Sequence, residues 1–326
     1  MQDVERHAAL FGITDVTHGK PRNLAASVRQ RLVNIAKERE EEFQYVLIRY
    51  GTERLLYRLS QSEHADVFIL KGAALFQIWT NQPHRPTRDV DFLGHGAPTL
   101  DRFERLLRDV CTTEVEDDGL RFDGNSIVVE QIKEEDEYQG IRLRLVASLQ
   151  NARISLQIDV GFGDAITPGT EDVVYPTLLE FPPPKIKAYP RETVVAEKFQ
   201  AMVKLGIANS RMKDYYDLWI LAKQFDFDGT QVTKAIKATF ERRRTELPSS
   251  MPLALTDEFA EDERKQTQWK AFCRKGRLAV PGLELTTVTE LLAPFLMPPT
   301  KAAHASYDFA QRWAAGGPWQ NMSDEL

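Results

Sequence analysis

The chain has 326 residues, of which 42% are hydrophobic and 28% charged, with mean hydropathy -0.39 and a net charge of -6. That length suffices for two or three cores, while no apolar run approaches the roughly 20 residues that span a bilayer and the opening MQDVERHAALFG lacks a signal-peptide heart, so a cytoplasmic protein without membrane contact is expected. Two cysteines without CxxC spacing, Cys111 and Cys273, exclude a disulfide framework or a cysteine zinc site, and the negative balance argues against a surface that binds nucleic acid throughout.

Residues 24–61 carry apolar residues near helical spacing, which predicts two helices bent or broken near Gly51. Leu24, Val28, Leu32 and Ile35 form one apolar stripe; Val46, Leu47, Leu55, Leu56 and Leu59 form another. Residues 67–70 (VFIL) read as a buried strand, 73–79 as a short helix, and 81–88, with Pro83 and Pro86, as a loop. A strand starts at Val90 and ends in Gly94-His95-Gly96, and 99–110 read as an amphipathic helix. A β meander is expected over 120–161, with a hairpin turn at Gln150-Asn151. The proline-rich stretch 168–190 reads as a crossing into a helical part, with helices over 191–205, 211–225, 230–246, 285–297 and 300–314, a weaker one near 261–277, and a frayed tail after Gly316.

Charge is uneven along this order. Residues 101–138 hold 13 acids against 5 Lys/Arg, and residues 185–214 hold 7 Lys/Arg against 3 acids. Solvated faces would account for both, whereas a basic wall beside an acidic site would hold a polyanion.

The stretch from Val67 to Leu93 concentrates the chemistry. A strand ends in Lys71-Gly72, and Asp89-Val90-Asp91 opens the next one. An Asp-x-Asp on a strand puts both carboxylates on one face, about 6.5 Å apart at Cα. Most such pairs are plain surface pairs. Here the flanking Val90, Phe92 and Leu93 are apolar, and two desolvated carboxylates need a partner. Arg88 is one candidate and a hard divalent cation the other. Asp159, on the polar face of the meander with Ser155 and Gln157, supplies a third carboxylate. The turn glycine admits a phosphate to the backbone, so the set points to nucleotidyl transfer.

A second constellation lies in the helical part: Glu197-Lys198-Phe199-Gln200-Ala201, then Arg211-Met212-Lys213-Asp214-Tyr215-Tyr216-Asp217-Leu218. Asp214 and Asp217 share a helix face. Lys213 and Asp217, four apart, would pair in a purely structural network; Lys198, among apolar neighbours, needs Asp214 or a phosphate.

Together these segments resemble the AbiEii/AbiGii toxin family of nucleotidyltransferases over about residues 25–222. The matching pieces are Lys71-Gly72-Ala73-Ala74-Leu75, Arg85-Pro86-Thr87-Arg88-Asp89-Val90-Asp91, Ile158-Asp159-Val160 and the two helical segments above. Ala73 departs from the glycine or serine common there, which removes a hydroxyl contact to phosphate. The resemblance implies an α+β chain: a minimal nucleotidyltransferase mixed β-sheet domain with helices, followed by a mainly α-helical C-terminal domain. The expected divisions are an N-terminal helical segment over 1–65, the nucleotidyltransferase domain over 66–185 and the helical domain over 186–326.

Chemistry and resemblance together assign roles. Asp89 and Asp91 would hold Mg2+ (or Mn2+) on a nucleoside triphosphate, and Asp159 would complete a second metal site or act on the attacking hydroxyl. Lys71, Gly72, Arg88, Lys198, Arg211, Lys213 and Asp217 would bind the nucleotide; Lys198 would neutralise phosphate charge, and Asp214 would orient Lys198 or contact the base or sugar. The resemblance further implies the toxin of a toxin–antitoxin or phage-defence pair, an RNA acceptor with tRNA among the candidates, and a cognate antitoxin protein. A transferase acting on a protein or small molecule, and a non-catalytic nucleotide-binding module, are the alternatives.

Overall fold

The computed structural model describes residues 23–80, 85, 87, 89–134, 138–276, 278, 280 and 282–321. The N-terminal half forms helices α1 (Leu24–Glu38) and α2 (Phe43–Gln61), strand β1 (Phe68–Lys71), helix α3 (Ala74–Thr80), strand β2 (Asp89–Gly94) and helix α4 (Leu100–Thr112). Strands β3 (Leu120–Glu134), β4 (Tyr138–Leu149), β5 (Ala152–Phe162), β6 (Glu171–Val174) and β7 (Lys185–Ala188) follow. The C-terminal part holds α5 (Arg191–Leu205), α6 (Met212–Gln224), β8 (Phe227–Asp228), α7 (Gly229–Arg242), α8 (Asp257–Glu261), α9 (Glu263–Gly276), α10 (Leu285–Ala305), β9 (Gln311–Trp313) and β10 (Trp319–Asn321). This is the α+β architecture expected. Among the described residues no helix is long and apolar enough to cross a membrane.

Alternation builds the main sheet. Along β5, Ile154, Leu156, Ile158 and Val160 are buried at every second position, so one face is apolar and the other carries Gln157 and Asp159. The seven strands run in the order β3-β4-β5-β2-β1-β7-β6. Pairing is parallel for β2 with β5 and β1 with β7, and antiparallel elsewhere. Helices α1, α2 and α4 cover the apolar face. One continuous apolar cluster extends from Val28 in α1 to Trp313 in β9, so sheet and C-terminal helices share a core.

The helix break falls at Arg39–Glu42, not at Gly51, and Glu40 there takes a φ of +52°. Glutamates at the end of α1 face the negative pole of the helix, whereas at the start of α2 they face a positive one. Gly51 lies inside α2, where an added Cβ would stand 3.2 Å from Leu156 Cδ2 and 3.3 Å from Ile154 Cγ2. It lets the helix approach the sheet closely.

The proline-rich segment is more than a crossing. It contributes β6 and β7, with Pro176 and Pro182–Pro184 in the loop between them, and Tyr189 N–H bonds the Leu70 carbonyl at 3.0 Å to extend the pairing with β1.

The two helices expected over 285–297 and 300–314 are one, α10, which runs through Pro294, Pro298 and Pro299. Within the tail expected to fray beyond Gly316, residues 319–321 form β10, which pairs with β9 in a small sheet ordered β10-β9-β8, while 322–326 lie outside the described residues. The two departures have a shared cause. Pro299 has no N–H to give the Phe295 carbonyl one turn back. Trp319 Nε1 donates to that carbonyl at 3.0 Å, and the indole stacks on the Phe295 ring with centroids 6.0 Å apart. Trp319→Phe keeps an aromatic ring and removes the donor. Urea melts should show about 1–2 kcal/mol lower stability; an unchanged midpoint would mean that the bond carries no weight.

Candidate functional site

Strand register brings the separate motifs to one level of the sheet. Lys71 stands opposite Asp91, Asp91 beside Asp159, and Asp159 beside Arg142. With strands about 4.8 Å apart, the row across β1, β2, β5 and β4 reads plus, minus, minus, plus. Asp89 shares this face two residues before Asp91, level with Gln157. Val90, Phe92, Ile158 and Val160 alternate into the core. Gly72, just past the row, has a φ of +75°, and a Cβ there would collide with the Asp91 carboxylate. Both the backbone angle and the close approach require glycine.

Arg142 forks onto Asp159, with Nε to Oδ1 and Nη2 to Oδ2 both at 2.7 Å. The three aspartates expected around a metal are therefore neighbours that do not converge. Among the described residues, the three such side chains whose ligand atoms lie within 4.8 Å of one another are Glu63, His64 and Asp109, where His64 Nε2 lies 3.0 Å from Asp109 Oδ2.

The charged row lines a cavity of about 430 Å³, within the range of small-molecule sites. Lys198, Lys204, Arg211, Lys213 and Asp214 from the helical part line it too. Lys198 bonds Asp214 at 2.9 Å and lies 2.8 Å from Asp217. Burial works against its ammonium, but Asp214 and Asp217 outweigh burial and raise its pKa above the ordinary value. Arg85 forks onto Asp217 at 2.8 and 2.9 Å. Burial disfavours the Asp214 carboxylate, yet Lys198 and Arg211 lower its pKa overall. The Arg211 Nε lies 2.6 Å from Asp214 Oδ2 as an ion pair, outside hydrogen-bond angles. Asp217 thus pairs with Lys198 and Arg85 rather than with Lys213, which stands exposed at the cavity edge. Arg88 lies outside the described residues.

Three groups escape sequence reasoning. Arg142 needs the β4–β5 register to be placed; its only trace is alternation in IRLRL. Asp164, in the loop after β5, accepts from Lys71 Nζ at 3.0 Å and from Arg243 Nη2 at 3.2 Å. Burial alone would raise Asp164, but Lys71 and Arg243 hold it down at about 2. Arg243, in the run ERRR at the end of α7, also donates to Gln200 Oε1 at 3.0 Å. Its Nη2 lies 3.1 Å from Glu197 Oε1, but at an angle that makes no hydrogen bond. Glu197 is pushed up to about 7, by burial first and then by Asp164. A basic side chain thus stands beside Asp91, Asp159, Asp164, Glu197, Asp214 and Asp217.

A family model described as "Nucleotidyl transferase AbiEii toxin, Type IV TA system" matches residues 54–293. Two solved structures are similar in shape. One is JHP933 from Helicobacter pylori, at 14% identity and a TM-score of 0.45 over 80% of this chain and 92% of that one. The other is an H. pylori protein named as a candidate nucleotidyltransferase, at 15% identity and 0.45 over 81% and 96%. No curated protein sequence matches the chain.

Glu197 offers a pH test. Its folded value near 7 lies above the ordinary 4.5, so the fold retains a proton that the unfolded chain releases. The stability this gives is present below the ordinary value and is lost as pH rises through the folded one. Relative to Glu197→Gln, the wild-type protein should lose stability over that window, by up to about 1.4 kcal/mol per pH unit. Thermal melts in a pH series read this, and parallel curves would contradict it.

Proposed function

The chain belongs to the AbiEii nucleotidyl transferase toxin family of type IV toxin–antitoxin systems, and from that premise we propose that it transfers a nucleoside monophosphate from a nucleoside triphosphate to an RNA acceptor, with tRNA as the first candidate. The observation that carries the reading is the charged row on the sheet: Asp91 and Asp159 in register, Asp89 on the same face, Lys71 at one end, and Lys198 across the cavity.

The donor set fits a divalent cation. Asp89 and Asp91 are half-buried carboxylates lining a cavity rich in cationic side chains, and Mg2+ typically binds through one or two carboxylates plus substrate phosphates. Asp89 and Asp91 would hold it, with Mn2+ as a substitute and Asp159 as a further ligand. When bound, such an ion neutralises charge on the phosphates. The remaining work falls to the protein. Lys71 and Lys198 supply fixed positive charge to the triphosphate, where low dielectric strengthens the attraction. Asp164 fixes Lys71; Asp214 and Asp217 fix Lys198, with Arg85 bracing Asp217. Gly72 keeps the backbone open beneath the phosphates. Arg211 and Lys213 add charge at the cavity edge. Asp159 Oδ1 or Oδ2 takes the proton of the attacking hydroxyl where it does not bind metal.

Transfer to RNA would arrest translation, and a cognate antitoxin would relieve the arrest. The cytoplasm, where both substrates reside, is the proposed location. The test incubates the protein with Mg2+, each α-labelled nucleoside triphosphate in turn and total RNA, followed by a denaturing gel. Label in a tRNA-sized band should appear with one nucleotide and fall about a thousandfold in Asp89→Asn and Asp91→Asn. Full transfer by either variant would refute the assignment; label on protein or a small acceptor would replace RNA as the substrate.

A further inference from the structure

Asp159 is proposed above as a metal ligand, yet both of its oxygens already serve Arg142, and Gln157 Nε2 adds a long contact of 3.4 Å to Oδ2. A carboxylate gripped by a fork of two charge-assisted bonds is a poor ligand for a second cation, because ion and guanidinium repel each other and crowd the same two oxygens. The arginine is reachable from the cavity. Its side chain is 29% exposed, against 10% for Asp159, and it lines the cavity. Its neighbour across β3, Glu130, is already paired with Arg144 at 2.7 Å. A guanidinium leaving Asp159 therefore finds its best new acceptors inside the cavity. A triphosphate supplies them as pairs of phosphate oxygens, which the planar arginine fork can bond two at a time.

We infer that Arg142 is a nucleotide-binding residue that withholds Asp159 from metal until a triphosphate arrives. In the free protein Arg142 neutralises Asp159 in place of the ion. When nucleotide enters, Arg142 exchanges the carboxylate for phosphate oxygens, and Asp159 becomes free to ligate. Metal and nucleotide then bind cooperatively, and the coupling must be reciprocal. The inference rests on the proposed reading of Asp159 as a ligand.

The test measures free Mn2+ by electron paramagnetic resonance, with and without a non-hydrolysable α,β-methylene nucleoside triphosphate. Without nucleotide, Arg142→Gln should bind Mn2+ about tenfold more tightly than wild type, the weight of one strong charge-assisted contact. The further tightening caused by nucleotide should shrink by a similar factor. Arg142→Lys, which keeps the charge and loses the fork, should show part of the gain and guards against a misfolded glutamine variant. The double variant Arg142→Gln/Asp159→Asn should show no gain. If Arg142→Gln and Arg142→Lys both bind Mn2+ as wild type does while Asp159→Asn weakens binding with nucleotide present, the reading of Asp159 stands and the inference falls. If Asp159→Asn leaves Mn2+ binding unchanged with nucleotide present, Asp159 is no ligand, and both fall.

Discussion

Asp91 and Asp159 stand side by side on neighbouring parallel strands, and two carboxylates that close, partly withdrawn from water, cannot both stay charged without compensation. The surroundings of the site can be understood as answers to that constraint. Lys71 and Arg142 flank the pair along the sheet. The added lysine charge at the end of β1 is matched in turn by Asp164, and Asp164 by Arg243. Each answer recruits an element farther from the row, until α7 in the C-terminal part is tied to β1 through a chain of alternating charges.

The second wall repeats the pattern with deeper burial. Lys198, Asp214 and Asp217 sit almost out of water, where a lone charge would cost several kcal/mol but a complete network is tolerable. The network works only because α5 and α6 pack against each other and hold Lys198 near both acids. Arg85, between β1 and β2 in sequence, reaches across to Asp217. The two walls are therefore linked by ion pairs as well as by the shared apolar core. Lys71 and Lys198 are thereby held in place before any ligand enters, which lowers the ordering cost of binding.

Much of this was legible from period alone. Asp89, Asp91 and Asp159 declare their shared face by alternation with apolar residues, and the boundaries of α5 follow from Pro190 and Gly206. What period does not carry is the pairing between strands. Nothing in the spacing of Arg142, Asp164 or Arg243 places them at the site, since each is fixed by register or by the loop leaving β5. The same limit explains β6 and β7, short strands among prolines whose pairing depends on β1, far off in the chain. Gly51 misleads for another reason: glycine usually interrupts helices, but here its missing side chain is used for packing. Pro298 and Pro299 mislead likewise, because the donor that repairs the helix lies in a segment with no helical signal of its own.

That repair bears on the order in which the molecule assembles during synthesis. Helix α10 emerges from the ribosome before Trp319, with the Phe295 carbonyl still lacking the partner that Pro299 denies it. The sheet has a similar lag, since β1 emerges early but acquires its second neighbour only when β7 appears. Long-range contacts of this kind form late. The basic wall, built on α5 and α6, emerges after the acidic row is complete. A partly made chain thus holds the acidic row with Lys71 and Arg142 beside it but without the second wall, and the pocket takes shape only as the C-terminal part folds back onto the sheet.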